Sequence, residues 1–161
     1  MTFTITVVDT TGPVFSGVPA DILIEISNGL CSSTATWTPP TAEDPCGVVV
    51  VTSNRNPGDL FQLGDTVVTY TAVDTNGNVS TASFTVTVRD TVPPVFNNLP
   101  ADFTIPAEPG LCGATATWTA PTGSDNCGVL SLTSDVAPGT FLPLGVTTVT
   151  YTVTDLSLIH I

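Results

Sequence analysis

The chain contains no lysine, and its only basic side chains are Arg55 and Arg89. Its one histidine, His160, is the next-to-last residue, and its one methionine is Met1. Against 14 carboxylates this leaves a formal net charge of −12. A surface so poor in cations excludes phosphate neutralisation on nucleic acid and docking on anionic lipid. No apolar run approaches the roughly 20 residues of a membrane-spanning helix. No basic start followed by an apolar stretch marks a secretory leader. Nucleophilic catalysis lacks its base, because no lysine, and no histidine outside the last residues, stands near a Ser, Thr or Cys. Glycine-rich phosphate loops of the Walker or dinucleotide type are absent as well.

What is abundant is Thr (30 residues) and Val (21), with 14 Pro and 13 Gly. β-Branched residues favour half-buried pleated strands, and Pro and Gly punctuate turns. The expectation is an all-β chain of many short strands.

The chain repeats itself. Residues 3–74 align without gaps on 84–155 at an offset of 81, with 39 of 72 positions identical. Phe15, Cys31, Trp37, Cys46 and Tyr70 recur as Phe96, Cys112, Trp118, Cys127 and Tyr151. Asp9, Asp21, Asp44 and Asp74 recur as Asp90, Asp102, Asp125 and Asp155. A period this long is one self-standing sandwich per repeat, in contrast to the shorter units of a solenoid. The register places residues 1–8 as the last strand of a preceding repeat, since Phe3-Thr4-Ile5-Thr6-Val7 copies Phe84-Thr85-Val86-Thr87-Val88. Residues 9–89 form a complete repeat, and residues 90–155 form a second that stops before its own final strand. The tail 156–161, with His160, breaks the pattern and reads as a sequencing-adapter end translated in frame, so it is set apart from the fold.

Period-two alternation marks the strands and their buried faces. Ile22, Ile24 and Ile26 share one face. Over residues 34–38, Ala35 and Trp37 face in. Val68, Tyr70 and Ala72 face in, as do Phe84, Val86 and Val88, and the copies Val149, Tyr151 and Val153. The apolar run 48–51 reads as a central strand. Asn76-Gly77 predicts a type I′ hairpin turn. Six or seven strands per 81 residues fit an immunoglobulin-like sandwich.

The run from Cys31 through Trp37-Thr38-Pro39-Pro40-Thr41 to Asp44-Pro45-Cys46-Gly47 resembles hyalin-type (HYR) repeats, and the second copy keeps Asp125-Asn126-Cys127-Gly128. The stretch Val68 to Asp74 with Gly77-Asn78, and the junction Asp90 to Phe96, resemble the same family. The resemblance covers residues 1–155. It implies tandem immunoglobulin-like β-sandwiches, one complete and one truncated, in extracellular multidomain proteins with adhesive or protein-interaction roles. It implies no catalytic residue set. Many family members carry a further cysteine before the final strand, but Thr81-Ala82-Ser83-Phe84 has none. The first reading is therefore a disulfide within each repeat, Cys31 with Cys46 and Cys112 with Cys127, with free thiols as the alternative. Disulfides imply an oxidising, extracellular compartment. No Cys-x-x-Cys spacing points to zinc.

Asp74, Asn76 and Asn78 alternate oxygen ligands as calcium loops do, though the position eleven after Asp74 is Thr85 and not an acid. Asp9 and Asp90 sit at Pro-rich junctions and are further calcium candidates. For all five the plain alternative is a capped turn, and no other cofactor is expected. Asp44 and Asp125 read as side-chain-to-backbone turn formers. Asn78-Val79-Ser80 matches a glycosylation acceptor. A glycosidase-like carboxylate pair is not settled by spacing, but these acids recur with the structural period and cluster near turns.

The sequence thus points to a non-catalytic extracellular module serving adhesion, protein interaction or spacing in a larger secreted or surface protein. Its partners would be adjacent repeats and a protein or glycan ligand at a cell surface or matrix. The alternatives are an accessory domain of a secreted glycanase or protease, and a carbohydrate-binding module, which an exposed aromatic pair on one face would favour.

Overall fold

Where threonine alternates with apolar residues, one face of each strand stays wet and the other seeks a core, and the longest such stretches set the architecture. The computed structural model describes residues 1–27 and 29–155, and all their regular structure is β-strand. The chain forms two units, Met1–Ile26 with Cys31–Arg89, and Ser27–Leu30 with the chain from Asp90 onward. The tail 156–161 lies outside the described residues.

The first unit runs β1 (Val14–Ser16), β2 (Ile22–Ile26), β3 (Ser32–Thr34), β4 (Thr41–Glu43), β5 (Val50–Ser53), β6 (Leu60–Gln62), β7 (Gly64–Val73) and β8 (Val79–Asp90). β1 pairs with β4 and β3 with β6, and a four-stranded sheet has the order β2-β8-β7-β5. β7 and β8 form its spine, antiparallel from Gly64↔Val88 to Val73↔Val79. Val68, Tyr70 and Ala72 from β7 and Phe84, Val86 and Val88 from β8 are buried, together with Ile26, Ala35 and Phe61. Burying each Val or Phe stabilises by roughly 1.5–3 kcal/mol. Trp37 closes this core edge-on, its ring 5.2 Å from Phe84 and 6.1 Å from Phe61. Its indole N–H donates to the Tyr70 hydroxyl at 2.7 Å.

Three local expectations are corrected. The run 48–51 is not a central strand: β5 begins at Val50, lies at the sheet edge, and leaves Val48 and Val50 exposed. Four consecutive valines carry no alternation, so they cannot show how many neighbours the strand has. The strand expected over 34–38 ends at Thr34. Pro39 and Pro40 have no N–H for a ladder, and Ala35 instead bonds Gly58 and Asp59 across a turn. The Asn76-Gly77 turn is not type I′, which needs positive φ at both residues. Only Gly77 is left-handed, at φ 89°. Gly77 N–H donates to the Asp74 carbonyl and Asp74 N–H to the Asn78 carbonyl, closing a three-residue loop with Gly77 as its bulge.

The second unit runs β9 (Val95–Asn97), β10 (Gly113–Ala116), β11 (Thr122–Ser124), β12 (Val129–Ser134), β13 (Thr140–Pro143) and β14 (Tyr151–Asp155). β9 pairs with β11, β10 with β13 and β12 with β14. These repeat the pairings β1·β4, β3·β6 and β5·β7 of the first unit. Residues 103–107, the copy of β2, are not a strand, and neither are 145–150, the copy of the first half of β7. Asn98, at φ 57°, takes the left-handed position that Gly17 holds at φ 69°, a substitution asparagine tolerates better than other side chains. Trp118 N–H donates to Tyr151 at 2.7 Å, as in the first unit.

Candidate functional site

Each repeat begins with an aspartate that folds back on its own chain. Asp9 accepts the N–H of Thr11 at 3.0 Å and Asp90 that of Val92 at 3.0 Å. Asp44 and Asp125 act likewise two residues before a cysteine, accepting the N–H of Cys46 and of Cys127, each at 2.8 Å. Such short-range bonds fix turns and leave one carboxylate oxygen for other partners.

The turns converge. In the first unit a carboxylate oxygen of Asp9, one of Asp44 and the Cys46 sulfur all lie within 4.8 Å of one another. Asp90, Asp125 and Cys127 repeat the arrangement in the second unit, with Asp90 fully buried. The 74–78 loop joins the first cluster. Asn76 donates through Nδ2 to Asp9 at 3.2 Å, and Asn78 through Nδ2 to Asp74 at 2.9 Å. Asp74 also accepts the N–H of Asn76 at 2.8 Å and of Asn78 at 2.9 Å.

The electrostatics follow from these bonds. Burial works to raise the Asp74 carboxyl, but the donors from Asn78, Asn76 and Gly77 outweigh it and hold it below the usual carboxylate range. Asp9 is lowered chiefly by the Thr11 hydroxyl and N–H. The Cys46 thiol is pushed up, first by the negative charge of Asp9, then by desolvation, Asp44 and Asp74.

The structure therefore brings Asp9, Asp74, Asn76 and Asn78 together. It assigns Asp90 to the equivalent place in the other unit, beside Asn126, which donates to it at 2.9 Å. The Asn76 and Asn78 amides turn their N–H₂ ends toward the carboxylates, so the loop satisfies itself as a capped turn. Hard oxygen donors of the kind calcium takes remain on Asp9 with Asp44 and on Asp90 with Asp125. Asn78 spends its Nδ2 on Asp74, and that atom is the one a glycan would modify.

The cysteines depart from expectation. Cys46 and Cys112 are exposed free thiols, whereas Cys31 and Cys127 are disulfide-bonded. Neither expected pair, Cys31 with Cys46 or Cys112 with Cys127, is closed. Spacing sets the length of a loop but not the approach of Cα atoms to within about 7 Å that bridging needs. Cys46, besides, sits among carboxylates that disfavour the thiolate.

Sequence reading did not find the Trp37–Tyr70 and Trp118–Tyr151 bonds. The signal was present in the constant Trp-to-Tyr separation of 33 residues in both copies.

The HYR domain matches residues 8–88 and again residues 89–158. The chain belongs to the HYR domain family. Its paired HYR repeats are 40% identical to "Hyalin" of Strongylocentrotus purpuratus over 158 residues, covering 96% of this chain and 13% of that protein. They are 41% identical to "Hyalin" of Lytechinus variegatus, covering 96% of this chain and 30% of that one. A third relative is the "Sushi, von Willebrand factor type A, EGF and pentraxin domain-containing protein 1" of Mus musculus, 36% identical over 85% of this chain and 4% of its own length. The HYR pair thus spans less than a third of each. No solved structure matches it.

Proposed function

We propose that the HYR pair is a non-catalytic extracellular module that serves adhesion, protein interaction or spacing within a larger secreted or surface protein. The observation that carries this reading is the repeat itself. Two HYR domains fill the chain, and the relatives they match are three or more times longer. Asp9, Asp44, Asp90 and Asp125 recur at the structural period and each caps a turn. Disulfide-bonded Cys31 and Cys127 support an oxidising compartment. The half-buried tryptophans are tied to tyrosine hydroxyls, which favours a packing role over sugar stacking.

The test is to place one, two or four copies of the HYR pair between a surface anchor and a reporter binding domain on beads. Spacing predicts reporter capture that rises with copy number. Adhesion by the repeats predicts that beads bearing the HYR pair alone capture one another or matrix-coated surfaces. A chain that does neither, or that cleaves a glycan or peptide in the same assay, overturns the proposal.

A further inference from the structure

The free edge of β5 differs from the free edge of its copy. In the sheet order β2-β8-β7-β5, one side of β5 meets β7, and among the described residues no strand stands on the other. Asn54 N–H donates to the Thr69 carbonyl at 3.2 Å, in register with the pairs Thr52↔Thr71 and Val50↔Val73. Bonding direction alternates along an antiparallel ladder, so Val51 and Ser53 turn their N–H and C=O groups outward. In the second unit β12 likewise has β14 as its one neighbour among the described residues, and Leu132 and Ser134 hold the equivalent places.

Exposed edges are ordinarily guarded by a charge, a proline or a bulge. β12 is guarded. Its register with β14 shifts between Val129 and Ser131, and Asp135 stands at its end, held by the Thr150 N–H at 2.8 Å. β5 pairs with β7 in unbroken register. Residues 48–54 hold no charge and no proline, in a chain of net charge −12. Glu43 and Asp44 precede this stretch and Arg55 follows it. Arg55 is one of the two cations of the chain and is exposed, its guanidinium 5.9 Å from the Phe61 ring. Two such edges laid antiparallel are complementary, with cation toward acid at both ends. The copies of Asp44 and Arg55 are Asp125 and Val136, so two β12 edges laid the same way would bring Asp125 toward Asp135.

We propose that β5 pairs antiparallel with β5 of a second copy of the chain, about a two-fold axis at Val51. Outward-turned residues must meet outward-turned residues, which sets Val51 against Val51 and Ser53 against Val49 of the other copy. Arg55 then stands opposite Gly47, close to Asp44, whose Oδ1 is the atom that holds the Cys46 turn. Main-chain bonds supply the affinity of such an edge, and the charged ends supply its direction. Both copies use the same surface, so the contact is isologous and closes as a dimer. The edge is short and the dimer correspondingly weak. The inference goes beyond the adhesive reading and does not rest on it. Chains that pair in solution without holding beads together would sink that reading and leave this one standing.

The experiment is sedimentation of the full chain over a concentration series, beside the variants Ser53→Pro, Arg55→Glu and Ser134→Pro. Ser53→Pro removes an N–H that its own sheet does not use, a place where an edge strand accepts proline. Arg55 is exposed and lies outside the strand, so Arg55→Glu keeps the fold and carries the test alone if the proline variant does not fold. The expected result is a reversible dimer that Ser53→Pro and Arg55→Glu each weaken by about tenfold or more and that Ser134→Pro leaves unchanged. Hydrogen exchange at the Val51 and Ser53 amides should slow as concentration rises, while exchange at Leu132 and Ser134 stays constant. A chain that remains monomeric to about millimolar concentration overturns the proposal, as does association that Arg55→Glu leaves intact. Protection that rises at Leu132 and Ser134 in place of Val51 and Ser53 overturns it too, and so does a dimer that non-reducing electrophoresis shows to be linked through Cys46 or Cys112.

Discussion

The two units share 39 of 72 aligned residues, yet Val68, Tyr70 and Ala72 are buried in one, while their copies Val149, Tyr151 and Val153 are only half-buried in the other. The difference lies in the neighbour. β7 has β8 along its whole length, whereas β14 is paired with β12 alone among the described residues. Alternation tells a strand which face to bury. Burial itself comes from the strand beside it, which brings Phe84, Val86 and Val88 onto that face.

The largest effect expected from this contrast comes from placing a charge at equivalent positions. Val86→Asp buries a carboxylate in a fully enclosed apolar site, and should destabilise the first unit by more than about 3 kcal/mol. Ile5→Asp alters the sequence copy of that residue, which is 75% exposed. In dilute solution it should change stability by less than about 0.5 kcal/mol. Denaturant unfolding followed by tryptophan fluorescence compares the two. Equal losses would mean that the segment around Ile5 is already packed as a strand.

A milder comparison uses the shared Trp–Tyr bond. Tyr70→Phe removes the acceptor from an indole N–H inside a closed core, with an expected loss of about 1–1.5 kcal/mol. Tyr151→Phe removes the same 2.7 Å bond beside an open cleft. Water can replace the hydroxyl there, and the loss should be about 0.5 kcal/mol or less. Thermal unfolding of the two variants gives the ratio, and a larger loss for Tyr151 would reverse the assignment of which core is closed.

How far the sequence foretold this depends on the kind of signal. The all-β class, the period of 81, and the inward faces of Val68, Tyr70, Phe84 and Val86 were legible because alternation and repetition are properties of the chain itself. The edge position of β5 was not, because Val48-Val49-Val50-Val51 has no alternation to count neighbours by. The turn at 74–78 was read as a turn but with the wrong geometry, since Asn76-Gly77 satisfies two turn types and the Asp74 main-chain bonds choose between them. The meeting of Asp9, Asp44 and Cys46 depends on two turns far apart in sequence. The sequence offered Asp9 at its Pro-rich junction and the 74–78 loop as separate candidates, and it paired Cys46 with a cysteine to which it is not bonded.

Acid should act through the first unit's turn. The Asp74 and Asp9 carboxyls are lowered in the folded chain. Their contribution to stability is therefore complete above the unfolded value of about 3.9 and is lost as pH falls through the lower folded value. Asp74→Asn should remove that part of the acid limb of a stability–pH curve. An unchanged limb would place the acid-sensitive groups elsewhere. A smaller effect is expected at Cys46. Asp9→Asn removes the first cause of its raised thiol pKa, and should speed maleimide labelling near pH 8 by about two- to fivefold at low salt. Added salt should narrow that gap by screening.

The smallest expected shift is that produced by calcium. In the 74–78 loop Asp74 already accepts N–H groups from Asn76, Gly77 and Asn78 and the Asn78 amide, and Asn76 and Asn78 offer nitrogen to the carboxylates. A cation entering there must break those bonds and turn both amides, which offsets much of what its coordination returns. Chelator or added calcium should therefore move the thermal midpoint of the first unit by about 1 °C or less. The comparison is sharpened by Asp9→Asn and Asp90→Asn, which remove equivalent carboxylates from the two units. A calcium-dependent rise of several degrees that Asp9→Asn abolishes would mean that Asp9 and Asp44 hold an ion in the first unit. A rise abolished by Asp90→Asn would move that role to Asp90 and Asp125, where the aspartate is fully buried and a bound ion would be the better shielded from water.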